Sequence, residues 1–157
     1  MTFTTDILNL FDEKWALVTA GTPDDFNTMT ISWGGMGTLW SRPVVTVYVK
    51  PVRYTHEFLE RNEYFTVSFF DEKHKKALAI LGSKSGRDTD KVALSGLTPK
   101  TVEGCAVGFA EAERTILCRK LLRQDLDLSE IPDFAKKTYY ETEAPHTMYV
   151  GEIEAIL

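Results

Sequence analysis

Along most of the chain, apolar and polar residues alternate with the two-residue period of β-strands. The stretch Asn27–Trp33 shows this alternation most clearly. Its apolar side is formed by Met29, Ile31 and Trp33, and its polar side by Thr28, Thr30 and Ser32. Further strands are predicted at Lys14–Ala20, Val44–Lys50, Tyr64–Phe70, Val107–Leu122 and His146–Leu157. The run Val44–Lys50 is apolar on nearly both faces, which predicts a central strand.

Short helical patterns lie between these strands. Thr4 or Thr5 is expected to cap an N-terminal helix with one apolar face, formed by Ile7, Leu8, Leu10 and Phe11. Four later helices are predicted. The first is capped by Thr55 and ends at Arg61, and the second, Lys73–Leu81, is capped by Asp71 and stops at Gly82. The third covers a turn or two from Asp88 or Thr89 through Leu94, and the fourth, Pro132–Thr138, is capped by Ser129. The glycines of Gly34–Gly37 predict either a mobile loop or a close approach of the backbone to another group.

These elements favour a mainly β fold. The strands do not alternate regularly with helices, which argues against a doubly wound parallel sheet. An antiparallel, Greek-key-like barrel with short helices at its ends fits the order of elements better. Residues 1–157 are expected to form a single domain, because no linker or internal repeat divides them.

Composition and charge exclude several functional classes. The 157 residues carry a net charge of -5, whereas nucleic-acid binders usually present a basic face. Two cysteines and three histidines provide neither a disulfide framework nor the spacing of a metal site. No signal peptide and no apolar segment long enough to span a bilayer are predicted, so a cytoplasmic protein without membrane or nucleic-acid partners is expected.

Two segments have the composition of anion sites. The loop Ser83–Asp88 combines serines, Gly86 and two cations, and Lys91 follows one helical turn later. Arg53 precedes a predicted helix start at Thr55, where backbone N–H groups lack intrahelical partners. Each segment alone is equally compatible with a solvated surface loop. Together they predict that one phosphate is held from two sides.

Other residues suit the ring system of a cofactor. Trp33, at the end of its strand, is a candidate to pack against a flat heterocycle, with core or dimer-interface packing as the alternative. Asn27 and the hydroxyls of residues 28, 30 and 32 are candidates to bond the polar edge of such a ring, or else face water. His146, which follows Pro145, is placed to reach a ligand. No nucleophile motif, Walker A loop or Rossmann fingerprint is present, so any redox chemistry would belong to a cofactor.

The chain resembles the flavin reductase-like proteins of the FMN-binding split-barrel fold, in particular the flavoredoxin-type branch. The resemblance rests on five stretches: Asn27-Thr28-Met29-Thr30-Ile31-Ser32-Trp33, Ser41-Arg42-Pro43 through Val49, Arg53-Tyr54-Thr55-His56-Glu57, Ser85-Gly86-Arg87-Asp88-Thr89-Asp90-Lys91, and His146-Thr147-Met148-Tyr149-Val150-Gly151-Glu152-Ile153. Each is weakly specific alone, but their order and spacing cover most of the chain.

The resemblance implies a homodimer that binds FMN near the subunit interface. It implies that Arg53, Thr55, Ser85 and Lys91 hold the phosphate and that Asn27, Met29, Thr30 and Trp33 lie along the ring. The full set of candidate cofactor-binding residues is Asn27, Thr28, Met29, Thr30, Ser32, Trp33, Arg53, Tyr54, Thr55, Ser83, Ser85, Gly86, Lys91 and His146. No catalytic side chain and no metal are implied, because the flavin N5 position carries the chemistry.

The activity that the resemblance implies is flavin reduction at the expense of NADH or NADPH, which would be a transient donor. Two alternatives stay open at this point: a flavoredoxin-like FMN protein that takes electrons from a redox protein partner, and a non-catalytic flavin-binding module. The residues do not separate NADH, NADPH and protein donors, and they give no natural electron acceptor.

Overall fold

The structure, a computed structural model, describes residues 3–157, and within them it is predominantly β. The strands are β1 (Ala16–Thr22), β2 (Asp25–Ile31), β3 (Gly34–Leu39), β4 (Arg42–Val49), β5 (Tyr64–Phe69), β6 (Pro99–Val102), β7 (Ala106–Phe109), β8 (Arg114–Asp125) and β9 (Thr147–Ile156). The α-helices are α1 (Tyr54–Arg61), α2 (Lys75–Ser83), α3 (Lys91–Ser95) and α4 (Asp133–Tyr139). None of the helices described within residues 3–157 is long and apolar enough to cross a membrane.

Seven strands form one antiparallel sheet in the order β2-β1-β5-β8-β9-β4-β3, and β6 pairs with β7 in a separate hairpin. The edge strands β2 and β3 are joined by Ser32 and Trp33 alone. A flat sheet of this size would place its edges about 29 Å apart, whereas the connection from Ile31 to Gly34 spans at most about 11 Å. The sheet therefore curls into a barrel, and the predicted antiparallel barrel is confirmed.

The barrel interior is the main hydrophobic core, as the alternation predicts. Met29 and Ile31 of β2, Val45, Val47 and Val49 of β4, and Phe65 and Val67 of β5 all point into it. A second core lies outside the sheet, where Leu78 and Leu81 of α2 pack against Leu17 and Phe109. This second core fixes α2 next to β2, and the C-terminal end of α2 becomes one wall of the candidate site.

Several strand predictions need correction. Gly34–Gly37 is not a loop but part of edge strand β3, which pairs with β4 from Gly34↔Val47 to Leu39↔Arg42. The predicted strand Val107–Leu122 is two strands, β7 and β8, because the chain turns between Phe109 and Arg114. Its predicted irregularity is confirmed in β8, where the register with β9 shifts at Leu117/Cys118 and again at Lys120/Leu122. The sequence pattern did not predict the hairpin β6–β7.

The helix caps also differ from the predictions. Arg53, not Thr55, occupies the N-cap position of α1, and Thr55 lies buried in the first turn. Helix α2 continues through Gly82 to Ser83, and Asp90 caps α3 by accepting a hydrogen bond from the Ala93 N–H. Ser129 does not cap α4, whose N-cap position is occupied by Pro132 without a side-chain cap. Ser129 lies instead in a short helical turn, Leu128–Glu130, that Asp127 caps.

The N-terminal helical segment also departs from its predicted face. The Asn9 N–H is capped by the Asp6 carboxylate rather than by Thr4 or Thr5. Leu10 and Phe11 are buried as predicted, but Leu8 is 79% exposed because the segment winds as a π-helix over Asn9–Glu13.

Candidate functional site

A cavity of about 240 Å³ opens where the N-terminus of α1, the C-terminus of α2 and the loop before α3 meet. It is lined by Asn27, Val52, Arg53, Tyr54, Thr55, Gly82, Ser83, Lys84, Ser85, Lys91 and Glu143. Seven of the fourteen residues predicted from sequence therefore line one cavity, although they come from three separate segments. We call this space the phosphate cavity, for the reasons that follow.

Two cations are fixed at this cavity by backbone carbonyl groups. The Arg53 guanidinium donates to the Gly82 carbonyl at 2.9 Å. The Lys91 amine is buried and donates to the carbonyls of Leu81 and Lys84, at 2.9 and 3.1 Å. A lysine amine has three donors, so Lys91 keeps one for a ligand. Burial, with the adjacent Arg53 charge, lowers the Lys91 pKa to about 8, and burial also lowers the Arg53 pKa.

Backbone groups add uncharged donors to the same cavity. Within residues 3–157, the N–H group of Ser85, which lines this cavity, has no hydrogen-bond acceptor. The Gly86 N–H group also has none, but Gly86 lines an adjoining cavity. The Ser85 hydroxyl accepts from the Arg87 N–H at 3.2 Å, which leaves its own proton available. The first turn of α1 contributes further unpaired N–H groups, on which the helix dipole concentrates positive charge.

Asn27 ties these segments together from the end of β2. Its buried side-chain amide donates to the Thr55 hydroxyl at 2.8 Å. Its carbonyl oxygen lies so close to Gly86 that a Cβ at that position would approach it to 2.2 Å. Glycine is therefore required at position 86, since any side chain would displace Asn27. Asn27 therefore lies between the start of α1 and the loop at Gly86, and its predicted position along a ring stays a prediction.

This donor set fits a phosphate monoester. Three cations, hydroxyl groups and unpaired N–H groups surround a space about the size of one phosphate and the start of a polyol chain. Arg87, although it belongs to the same loop, points elsewhere: its guanidinium pairs with Glu57, donates to the Val52 carbonyl at 3.1 Å and lies 4.8 Å from the Tyr54 ring centroid. Arg87 therefore fastens the loop to α1 rather than facing the cavity.

A larger open cavity of about 760 Å³ adjoins the phosphate cavity. The two share Asn27, Tyr54 and Lys91, and Gly86 lines the larger one. Tyr54 also packs edge-to-face on Phe58, with ring centroids 5.0 Å apart. Tyr54 and Gly86 therefore form part of the partition between the two spaces.

Trp33 and His146 meet in an aromatic cluster with Tyr139 and Tyr140. The Trp33 ring lies 4.8 Å from Tyr139 and 5.2 Å from His146, measured between centroids. The Tyr140 hydroxyl and His146 Nδ1 are 2.8 Å apart. Burial and the nearby Lys50 lower the His146 pKa to about 4, so the imidazole is neutral at pH 7. Trp33 is 39% exposed, which leaves part of its ring free for a ligand.

Lys50 connects the aromatic cluster to the phosphate cavity, a role that the sequence did not indicate. Its amine bonds the Glu143 carboxylate at 2.7 Å and the Tyr139 carbonyl at 2.8 Å. Glu143 lines the phosphate cavity and Tyr139 contacts Trp33. Tyr139 and Glu143, from the segment 125–143 in which the sequence showed no functional motif, therefore contribute to both regions. The irregular, acidic sequence of this segment offered no periodicity by which these residues could have been found.

The remaining candidates on β2 and after it lie outside the phosphate cavity. Thr28 is fully buried and donates to the Val18 carbonyl at 3.2 Å, and Met29 packs in the barrel core. Both side chains face the protein interior, and neither lines one of the three cavities. Thr30 donates to the Leu78 carbonyl of α2 at 2.5 Å. Ser32 lines a third cavity of about 810 Å³ together with Trp33 and the N-terminal segment.

Comparison with known proteins places the chain in a family. Residues 8–157 match the family model of the flavin reductase like domain. No curated protein matches the sequence. The family resemblance noted from the sequence motifs is confirmed by this match.

Solved structures share the fold at low sequence identity. A flavoredoxin from Methanosarcina acetivorans is 23% identical with a TM-score of 0.72, over 92% of this chain and 67% of that one. An FMN-binding protein from Thermus thermophilus is 19% identical with a TM-score of 0.73, over 100% and 78%. An NADH:FAD oxidoreductase from Streptomyces globisporus, in complex with NAD and FAD fragments, is 19% identical with a TM-score of 0.69, over 92% and 73%.

Proposed function

The chain belongs to the flavin reductase-like family, and from this premise we propose that it binds FMN and catalyses NAD(P)H-dependent reduction of flavin. The observation that carries the proposal is the phosphate cavity, in which the buried Lys91 keeps a donor beside Arg53 and the unpaired N–H group of Ser85. Such a set of fixed donors suits a dianionic phosphate. We take residues 1–157 as one flavin-binding domain.

The proposed contacts follow the positions of the side chains. Arg53, Ser83, Ser85, Gly86 and Lys91 would hold the phosphate, and Asn27, Tyr54 and Thr55 would keep these segments in place. Thr30, Ser32, Trp33 and His146 would lie along the flavin ring. Thr28 and Met29 are left out of the contact set, because they are buried in the protein interior.

Bound flavin supplies two-electron chemistry at its N5 atom, and the protein supplies binding, orientation and electrostatics. Trp33 and the neutral His146 would restrict one side of the ring, while the phosphate cavity anchors the other end of the cofactor. NADH or NADPH is proposed as a transient donor. The similarity of the fold to an NADH:FAD oxidoreductase supports this choice.

We also propose a homodimer with FMN near the interface. Strand β3 is a sheet edge, and the turn that follows it exposes 64% of Trp40, which adopts a positive φ of 51°. An exposed edge and a large exposed aromatic residue suit a covered surface. Light scattering at micromolar concentration should give twice the chain mass of 17.8 kDa, and a monomer there would contradict the dimer.

The visible spectrum of the freshly purified protein, followed by anaerobic addition of NADH and then NADPH, tests the function. Flavin bands that bleach with either donor would support the reductase. Bands that persist would favour the second candidate, an FMN electron carrier fed by a redox protein, which similarity to flavoredoxins suggests. A colourless protein that fails to bind added FMN would contradict both.

A further inference from the structure

The phosphate cavity contains one carboxylate. Among its described lining residues, Glu143 is the single acidic one, and it shares the space with the cations Arg53, Lys84 and Lys91. Its side chain is 44% exposed, so it stands at the mouth rather than in the depth of the cavity. A carboxylate in a site that is suited to an anion repels the negatively charged ligand. Its presence therefore requires an explanation.

The structure holds Glu143 in this position by several contacts. The Lys50 amine bonds the Glu143 carboxylate at 2.7 Å and the Tyr139 carbonyl at 2.8 Å, and it lies 5.6 Å from the Tyr140 ring centroid. The base of the segment is closed by a hydrogen bond of 3.0 Å from the Leu126 N–H to the His146 carbonyl. The carboxylate is therefore directed to the cavity by the fold of segment 126–146.

The cavity is small enough for this charge to act on a bound phosphate. A volume of about 240 Å³ corresponds to roughly 6 Å across, so a phosphate inside lies within about one such width of the carboxylate. At that separation like charges repel appreciably even where water penetrates. A flavin without a phosphate experiences no such repulsion.

We propose that Glu143 is a specificity-determining residue: its carboxylate restrains the affinity of the site for the phosphate of FMN. The flavin is then an exchangeable substrate rather than a permanently bound group, and the preference for FMN over riboflavin is moderate. This inference rests on the proposed function, because it assumes that the cavity receives the flavin phosphate.

Fluorescence titration of FMN and of riboflavin against four proteins tests the inference. The proteins are the unsubstituted chain, Glu143→Gln, Glu143→Asp and Glu141→Gln. Glutamine keeps an acceptor for Lys50 but removes the charge, and aspartate restores the charge. Glu141→Gln makes the same change of net charge on an exposed residue that does not line the cavity.

Glu143→Gln should bind FMN about tenfold more tightly and riboflavin with unchanged affinity. The gain should shrink at high salt, because added ions screen the repulsion. Glu143→Asp and Glu141→Gln should resemble the unsubstituted protein. Unchanged or weaker FMN binding by Glu143→Gln, or an equal gain for both flavins, would overturn the inference while leaving the proposed function intact. Failure of the unsubstituted protein to bind either flavin would overturn both.

Discussion

The phosphate cavity and the aromatic cluster are built in different ways. The cavity is formed mainly by two short segments, residues 53–55 and 82–91, whose cations are fixed by carbonyl groups at 2.9–3.1 Å. The aromatic cluster joins Trp33 to Tyr139 and His146, which lie far from it in the chain, and the contacts run mainly through ring edges. Trp33 and Tyr139 are 39% and 41% exposed, whereas Lys91 is 3% exposed.

The two regions are suited to different tasks, the cavity to supplying binding energy and the cluster to adapting its shape. Donors held by hydrogen bonds before the ligand arrives need no rearrangement, so they can supply affinity for a small, highly charged group. Exposed rings in edge contact can shift at little cost, which suits a surface that receives a flat ring and then a second molecule. If this contrast holds, substitutions in the cavity should affect FMN far more than riboflavin, and substitutions in the cluster should affect both alike.

The largest effect is expected for Lys91→Ala. Loss of the charged donor should weaken FMN binding by about 1–3 kcal/mol, the size of a charge-assisted hydrogen bond, and leave riboflavin binding almost unchanged. Calorimetric or fluorescence titration with both flavins measures the difference. Lys100→Ala, which removes an exposed lysine outside the cavity, is the matched control.

Lys91→Ala also leaves the carbonyls of Leu81 and Lys84 without their donor, so its folding must be checked. Lys91→Met keeps an apolar stem in the buried space and serves as a second variant. If a folded variant of either kind binds FMN as tightly as the unsubstituted protein, Lys91 does not contact the phosphate.

The next largest effect is expected for the dependence of FMN affinity on pH. The pKa of Lys91 is lowered to about 8 in the free protein, mainly by burial. A bound phosphate stabilises the charged amine, so the Lys91 pKa is higher in the complex. FMN affinity should therefore be complete below about pH 8 and fall by up to tenfold per pH unit above it, over the range where the phosphate remains a dianion, above about pH 6.

The affinity for riboflavin should not follow this profile, because it has no phosphate to interact with the amine. In the Lys91→Met variant, the affinity for FMN should not decline near pH 8. Titrations in overlapping buffers at constant ionic strength would measure both. A decline of equal size in Lys91→Met would assign the titration to another group.

The smallest effect is expected for Trp33→Leu. Loss of aromatic contact area should weaken the binding of FMN and the binding of riboflavin by the same amount, about 0.5–1.5 kcal/mol. Phe134→Leu is a suitable control, because Phe134 is an aromatic residue that is 71% exposed and forms none of the ring contacts of the cluster. A selective loss of FMN in Trp33→Leu would contradict the separation of the two regions.

Sequence reasoning recovered much of the cavity, because its parts are local. Arg53-Tyr54-Thr55 places a cation at a helix start, and the loop before Lys91 contains the serines and the glycine that an anion site needs. Sequence reasoning failed where the direction of a side chain depends on residues that are distant in the sequence. The alternation of β2 identified a polar side correctly. Only the packing of α2 and β1 shows that the Thr28 and Thr30 hydroxyls donate hydrogen bonds to the carbonyls of Val18 and Leu78.

The class of fold, the main strands and the two segments with the composition of an anion site can be predicted from the sequence alone. Each depends on periodicity or on composition within a few residues, which a linear reading contains. Tertiary structure alone decided that Gly34–Gly37 is an edge strand, that Asn27 joins α1 to the loop at Gly86, and that Glu143 enters the phosphate cavity through Lys50. Those outcomes depend on contacts between residues distant in the chain, and the free energy of such contacts is defined only once the barrel has closed.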